Sequence, residues 1–162
     1  MIPEFGIKRE NEERRDGGVG VVYDPETQTF AVGKQHDGKL RLFSGGVDPG
    51  ENIKDGIIRE VTEESGLNDF KLVEKVGEGI AHYYNSLRKV NRVTHSTCLL
   101  LVLASRRMQE VHLEEHETFS LYWATAEEIL DDLNKHNANK DNDHWIYFFG
   151  KTQEKLKELG YN

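Results

Sequence analysis

Four ionisable residues, Arg59, Glu60, Glu63 and Glu64, crowd one predicted helix in the stretch GGVDPGENIKDGIIREVTEESGL, residues 45–67. At 3.6 residues per turn Glu60 and Glu64 stack one turn apart, and Glu63 lies beside them. Acidic helices are ordinarily solvated faces. Here the charges adjoin an apolar stripe of Ile53, Ile57, Ile58 and Val61 instead of facing away from it. Half-sheltered negative charge is costly unless a cation offsets it. A hard divalent ion such as Mg²⁺ takes oxygen ligands from one or two carboxylates and from substrate phosphates.

The helix that must present these groups is bounded by clear signals. Asn52 is an N-cap, and Asp55 in the first turn meets the positive end of the helix dipole. Gly66 stands where a left-handed residue closes a helix.

The spacing matches a known pattern. Gly45, then Glu51, then Arg59-Glu60-Val61-Thr62-Glu63-Glu64-Ser65-Gly66-Leu67 fit G-x5-E-x7-R-E-U-x-E-E-x-G-U without a gap, U being a bulky aliphatic. At roughly 6% usage per residue type, chance supplies the seven fixed identities on the order of once in 10⁸–10⁹ starts. The stretch resembles the Nudix box, and the chain is identified on it as similar to Nudix hydrolases. One departure precedes the box: where the family usually reads Leu-Pro-Gly-Gly, this chain has Leu42-Phe43-Ser44-Gly45.

The resemblance implies a set of roles. Glu60 and Glu64 would be the principal ligands of Mg²⁺ or Mn²⁺, with Glu63 a further ligand, direct or through water. Glu51 would support the loop and the metal shell, the carbonyl of Gly45 would complete it, and Arg59 would orient a glutamate through a charge-assisted hydrogen bond. The implied reaction is hydrolysis of a phosphoanhydride in a nucleoside diphosphate linked to a group X. The general base is open among Glu114, Glu115 and Glu117. Glu117 is favoured because its distance from Trp123 resembles the spacing in dinucleoside-polyphosphate hydrolases. Tyr83 and Tyr84 fall where that group tends to carry a tyrosine, and a tyrosine ring can stack on a purine. Dinucleoside polyphosphates are therefore the favoured substrates, with ADP-ribose, NADH or a nucleoside triphosphate as alternatives. A nucleotide-binding protein without turnover would be marked by an eroded box; every box position here is intact.

Length and composition set bounds. A chain of 162 residues suits a single domain with a core of its own. Hydrophobic content of 36% and charged content of 31% indicate a well-hydrated surface. A net charge of −8 argues against duplex nucleic acid, which needs a basic face. A lone cysteine, Cys98, cannot form an intrachain disulfide and suits a reducing, cytoplasmic setting. No apolar run suggests a signal peptide or a membrane span. The expected partner is a small nucleotide, the expected state monomer or homodimer.

Taken in order, residues 1–16 are charged and read as an N-terminal arm or loosely attached edge segment. Residues 17–162 read as one Nudix domain. Strands are expected over 17–23 and 29–34, with a turn at Asp37-Gly38. Arg41, in the approach to the box, faces either a phosphate or solvent. Residues 70–84 suit one long strand or two short ones, with a bend near Gly77-Glu78-Gly79. Residues 86–92 read as a basic turn, placing Arg88, Lys89 and Arg92 at a hairpin tip that either steers a polyanion or only keeps the hairpin soluble. Residues 93–104 form the strongest strand. His82 and His95 are strand histidines, flanking the cleft or structural. A loop over 106–118, a strand over 119–124 and a helix over 126–135 with a Thr125/Glu128 capping box follow. Last comes a helix over 144–159 with Trp145, Phe148 or Phe149, Leu156 and Leu159 facing the core. This order predicts an α/β/α sandwich with a mixed central sheet and the box as a loop–helix–loop beside it.

Overall fold

The computed structural model describes residues 1–161. Its elements are β1 (Glu4–Gly6), β2 (Glu13–Arg14), β3 (Gly17–Asp24), β4 (Thr29–Gln35), β5 (Leu40–Arg41), β6 (Phe43–Gly46), α1 (Ile53–Ser65), β7 (Phe70–Asn85), β8 (Val90–Leu103), β9 (Phe119–Ala124), α2 (Ala126–Lys135) and α3 (Asp143–Glu158). The strands run β1-β7-β8-β3-β4-β5, with β2 beside β8, β6 beside β3 and β9 beside β4. The sheet is mixed: β3 runs parallel to β8, whereas β7 pairs antiparallel with β8.

β3 is buried at every residue because helices cover both its faces. Val19, Val21 and Tyr23 join Cys98, Leu100 and Val102 in the core under α2 and α3. Val22 joins Leu99, Leu101 and Leu103 in the core under α1. Between the large residues, Gly18 and Gly20 let α1 lie directly on the strand. A Cβ at Gly18 would meet Ile57 Cδ1 at 2.2 Å, and one at Gly20 would meet Val61 Cγ2 at 2.3 Å. Ile57 and Val61 are buried there, each contributing about 1.5–3 kcal/mol. The caps follow the sequence: Asn52 Oδ1 accepts from the Asp55 amide at 3.2 Å, and Gly66 closes the helix at φ 82°.

β7 is one long strand, with register shifts between Phe70 and Leu72 and between Lys75 and Gly77. β8 begins at Val90, earlier than its apolar run suggests, because pairing continues out to Asn85 opposite Val90. Arg92 is thereby moved off the hairpin tip and into the strand opposite Tyr83. Within residues 1–16, β1 pairs with β7 and β2 with β8, and the Phe5 and Tyr147 rings pack at 5.4 Å. The charged composition of that segment conceals these contacts, which use backbone groups and one aromatic. In α3 both Phe148 and Phe149 are buried, together with Leu156. Leu159, expected in the core, is 39% exposed, because the helix ends at Glu158 and Leu159 is only its cap.

Candidate active site

α1 sits at the rim of a cleft of about 740 Å³. Gly45, Glu60, Arg41 and Glu117 line one end of it. The departure ahead of the box leaves this end intact. Residues 43–46 run as β6 against β3, with Phe43 buried, and the Ser44 amide donates to Glu64 Oε1 at 3.0 Å. The Glu60 carboxyl packs against Gly45, where a Cβ would stand 2.3 Å from it.

Arg59 is the hub of the acidic cluster. Its Nε and Nη2 donate to the two oxygens of Glu51 at 2.9 and 3.0 Å, and its Nη1 donates to Glu60 at 3.0 Å and Glu63 at 3.3 Å. The Asp48 amide also donates to Glu51, at 3.0 Å. The guanidinium first, and that amide second, hold the Glu51 carboxyl at a pKa of about 2. Glu60 goes the other way: burial raises its pKa in spite of Arg59.

Glu64 is the deepest of the set, with its side chain 1% exposed. Burial, and then a hydrogen bond with Glu117, push its pKa up to about 9. Burial opposes ionisation of Glu117 as well, but the bond from Glu64 and the Glu114 amide at 3.0 Å draw its pKa down. Without a cation the pair is thus biased toward a protonated Glu64 beside an ionised Glu117. Arg41 Nη2 reaches Glu64 at 3.3 Å and Glu117 at 3.9 Å, and its guanidinium lies over the Phe119 ring.

The structure therefore brings Gly45, Glu60, Glu64, Glu117 and Arg41 together. Glu63 stands at the rim, 40% exposed, and Glu51 is turned into the Arg59 web. Glu114 lines the cleft with Glu117; Glu115 is exposed outside it. Tyr83, Tyr84 and Arg88 line the cleft, while Lys89 lies at the hairpin turn outside it. His82 is paired with Glu12 at 2.8 Å, and His95 stands 3.4 Å from Glu78; neither lines the cleft. His144 and Trp145 line it too; Trp145 also packs against the core, as expected, and so forms part of both the core and the cleft wall. The signal available was the polar-aromatic pair itself, set just before the buried phenylalanines.

Among the described residues, no three acidic, histidine or cysteine side chains already stand as a metal cage. Arg59 and Arg41 occupy the carboxylates instead. The donor set nevertheless fits a hard cation. Its ligands are oxygens, Glu60 and Glu64 are short of compensating charge, and Gly45 leaves space beside Glu60.

The profile of the NUDIX domain family matches residues 14–149. The NAD-capped RNA hydrolase NUDT12 of Pongo abelii is 28% identical over 117 residues, which are 70% of this chain and 23% of that protein. This chain thus spans about a quarter of that relative's length. Among solved structures, the NUDIX domain of Shewanella oneidensis NrtR, complexed with ADP ribose, aligns at a TM-score of 0.61 and 13% identity, covering 90% of each chain. A C. elegans Ap4A hydrolase aligns at a TM-score of 0.57 and 14% identity, covering 89% of this chain and 98% of that one. At such identities the structural likeness establishes the fold. A mixed sheet between helical layers, with an acidic helix at the mouth of a cleft, is the Nudix architecture. The chain belongs to the NUDIX domain family. Nudix hydrolases generally use divalent metal ions.

Proposed function

We propose that this protein hydrolyses a phosphoanhydride in a nucleoside diphosphate linked to a second group X, with a dinucleoside polyphosphate as the leading substrate. The observation that carries the reading is the pair of half-buried carboxylates Glu60 and Glu117, with buried Glu64 behind them, on a cleft that also takes in Tyr83 and Tyr84. Glu60 and Glu64 would hold Mg²⁺ or Mn²⁺, assisted by Glu63 and the Gly45 carbonyl. A divalent cation there supplies charge to offset the polyphosphate and makes an attacking water more acidic.

The chain's own groups do the rest. Arg59 holds Glu51 and turns Glu60 toward the cleft. Glu117, which stands beside Glu64 and Arg41, accepts the proton of the attacking water. Water oxygen bonds to phosphorus, the bridging P–O bond breaks, and two phosphate-bearing products leave. Arg41 meets a phosphate oxygen, and the tyrosines hold a purine.

A second reading keeps the chemistry and changes X to the nicotinamide nucleotide of NADH. The likeness to an NAD-capped RNA hydrolase favours it. ADP-ribose or a nucleoside triphosphate would fit the same carboxylates. The deciding experiment is a nucleotide panel with Mg²⁺ or Mn²⁺ and product identification. A dinucleoside polyphosphate is expected to give the highest kcat/KM. A higher value for NADH selects the second reading, and no phosphate-bearing product from any nucleotide removes both.

A further inference from the structure

β9 is a free edge of the sheet. It pairs with β4 along its whole length and, among the described residues, with no other strand. Half the backbone groups of an edge strand point away from its neighbour. Among the described residues, residues 119–124 make no backbone hydrogen bond outside that ladder. A groove of about 540 Å³ lies over residues 118–122 and residues 34–36, so the start of the strand is left uncovered.

Sheets ordinarily blunt such an edge with a charge, a proline, a bulge or a very short strand. The edge strands β1 and β2 follow that rule, with three and two residues and a glutamate in each. β9 has none of these devices. Its sequence FSLYWA carries neither charge nor proline, and its register with β4 runs through all six residues without a shift. Ser120 is exposed, and Leu121, Tyr122 and Trp123 are half-buried. An uncharged edge of this length can accept one more strand through main-chain hydrogen bonds.

We infer that β9 is a self-association edge, to which a second copy of this chain adds its own β9 antiparallel across a two-fold axis. The order of charge along the strand selects that occupant. On the face toward α2, Lys34 stands opposite Ser120 in the first half of β9, whereas exposed Glu127 opens α2 just past the other end. On the face toward α1 the order is reversed. Glu114 and Glu115 precede the strand in the loop that reaches α1, and Arg106 lies over Trp123 near the strand's end, 3.6 Å from the ring. A two-fold perpendicular to the sheet turns the strand end for end and keeps each face on its own side. Basic ends then meet acidic ends on both faces, while a parallel neighbour would set like charge beside like. The pairing occupies the free edge of both copies and so stops at two. It stands independently of the hydrolase reading.

The test is sedimentation of the 162-residue protein from about 1 μM to about 1 mM, where the mass should rise from 18.6 kDa to twice that value. Amides of residues 119–124 should exchange their hydrogens about tenfold more slowly at the high concentration. Ser120→Glu should abolish the dimer. Its carboxylate pairs with Lys34 inside one chain, which favours the fold, but faces the acidic start of α2 in the partner subunit. Ser120→Thr should keep the dimer. Lys34→Glu and Glu127→Lys should each be monomeric alone and form a mixed dimer when combined, because the exchange repairs both contacts across the axis. A mass of 18.6 kDa at every concentration, growth beyond two copies, or a dimer whose β9 amides exchange as in the monomer overturns the proposal. So does a dimer that persists in Ser120→Glu with an unchanged melting temperature. Should that variant fail to fold, the mixture decides: Lys34→Glu and Glu127→Lys associating no better together than apart overturns it too.

Discussion

Arg59 and Arg41 both grip carboxylates of the box, Glu51 in its loop and Glu64 on its helix, yet the two carboxylates respond in opposite directions. Arg59 makes a two-pronged contact with Glu51, which an amide also serves, and that carboxyl stays ionised down to a pKa of about 2. Arg41 makes one longer contact with Glu64, which is shut away from water beside a second carboxyl, and Glu64 is held protonated up to about 9. Hydrogen bonds win where water remains; desolvation and a like-charged neighbour win where it does not. The first arrangement is a finished scaffold. The second is short of positive charge, which is what the proposed metal site requires.

The largest effect should come from the unfinished side. Glu64→Gln keeps the shape of the protonated carboxyl, so the metal-free protein should fold with an undiminished melting temperature. Its kcat/KM should nevertheless fall roughly 10²–10⁴-fold, since a neutral amide does not hold a cation well. Wild-type turnover in this variant would mean that Glu64 is as structural as Glu51.

Arg59→Ala attacks the finished side, and there stability should fall. It strands Glu51 and removes donors from Glu60 and Glu63. With the guanidinium about a third exposed, a loss of about 2 kcal/mol is reasonable, read as a drop of roughly 4–8 °C in melting temperature. Arg59→Lys should recover only part of this, because a lysine cannot span both oxygens of Glu51. A melting temperature unchanged in Arg59→Ala would remove the scaffold role.

These two sides were not equally legible in the sequence. The box, its caps and the apolar stripe of α1 follow from local spacing and appear where that spacing puts them. What would meet the buried carboxylate does not follow. A helical wheel sets Glu64 nearer than Glu60 to the middle of the apolar stripe, but its partners, the Ser44 amide, Arg41 and Glu117, come from β6, β5 and a distant loop. The strand contacts of residues 4–14 escaped for a similar reason, since backbone pairing leaves little mark on side-chain pattern. The early start of β8 and the cleft-lining role of His144 and Trp145 likewise depend on what folds against them.

The comparison also has a pH signature. Folded Glu64 keeps its proton to about pH 9, whereas its ordinary value is 4.5. Its contribution is fully present below 4.5 and is lost as pH rises toward 9, so the metal-free protein should weaken across that window. Glu51 is the reverse: its contribution is present above 4.5 and lost as pH falls toward 2. Melting temperatures from pH 3 to 9 should show Glu64→Gln flattening the alkaline limb and Glu51→Gln the acid limb. Saturating Mg²⁺ should flatten the alkaline limb of the wild type. Limbs that stay put in their respective variants would show that other groups set them.

The smallest effect is expected at the hairpin tip, where neighbouring cations differ only in which side of the cleft wall they occupy. Arg88 lines the cleft and Lys89, in a left-handed turn conformation, does not. If basic charge near the tip acts by contact with a phosphate, Arg88→Ala should raise KM about two- to fivefold, as an exposed ion pair would, and Lys89→Ala should leave it unchanged. If the charge acts only by steering, both substitutions should lower kcat/KM alike, and both effects should fade together as salt shortens the screening length. Kinetics at low and high ionic strength separate the two, because a contact made inside a cleft is screened less than a field acting through open solvent.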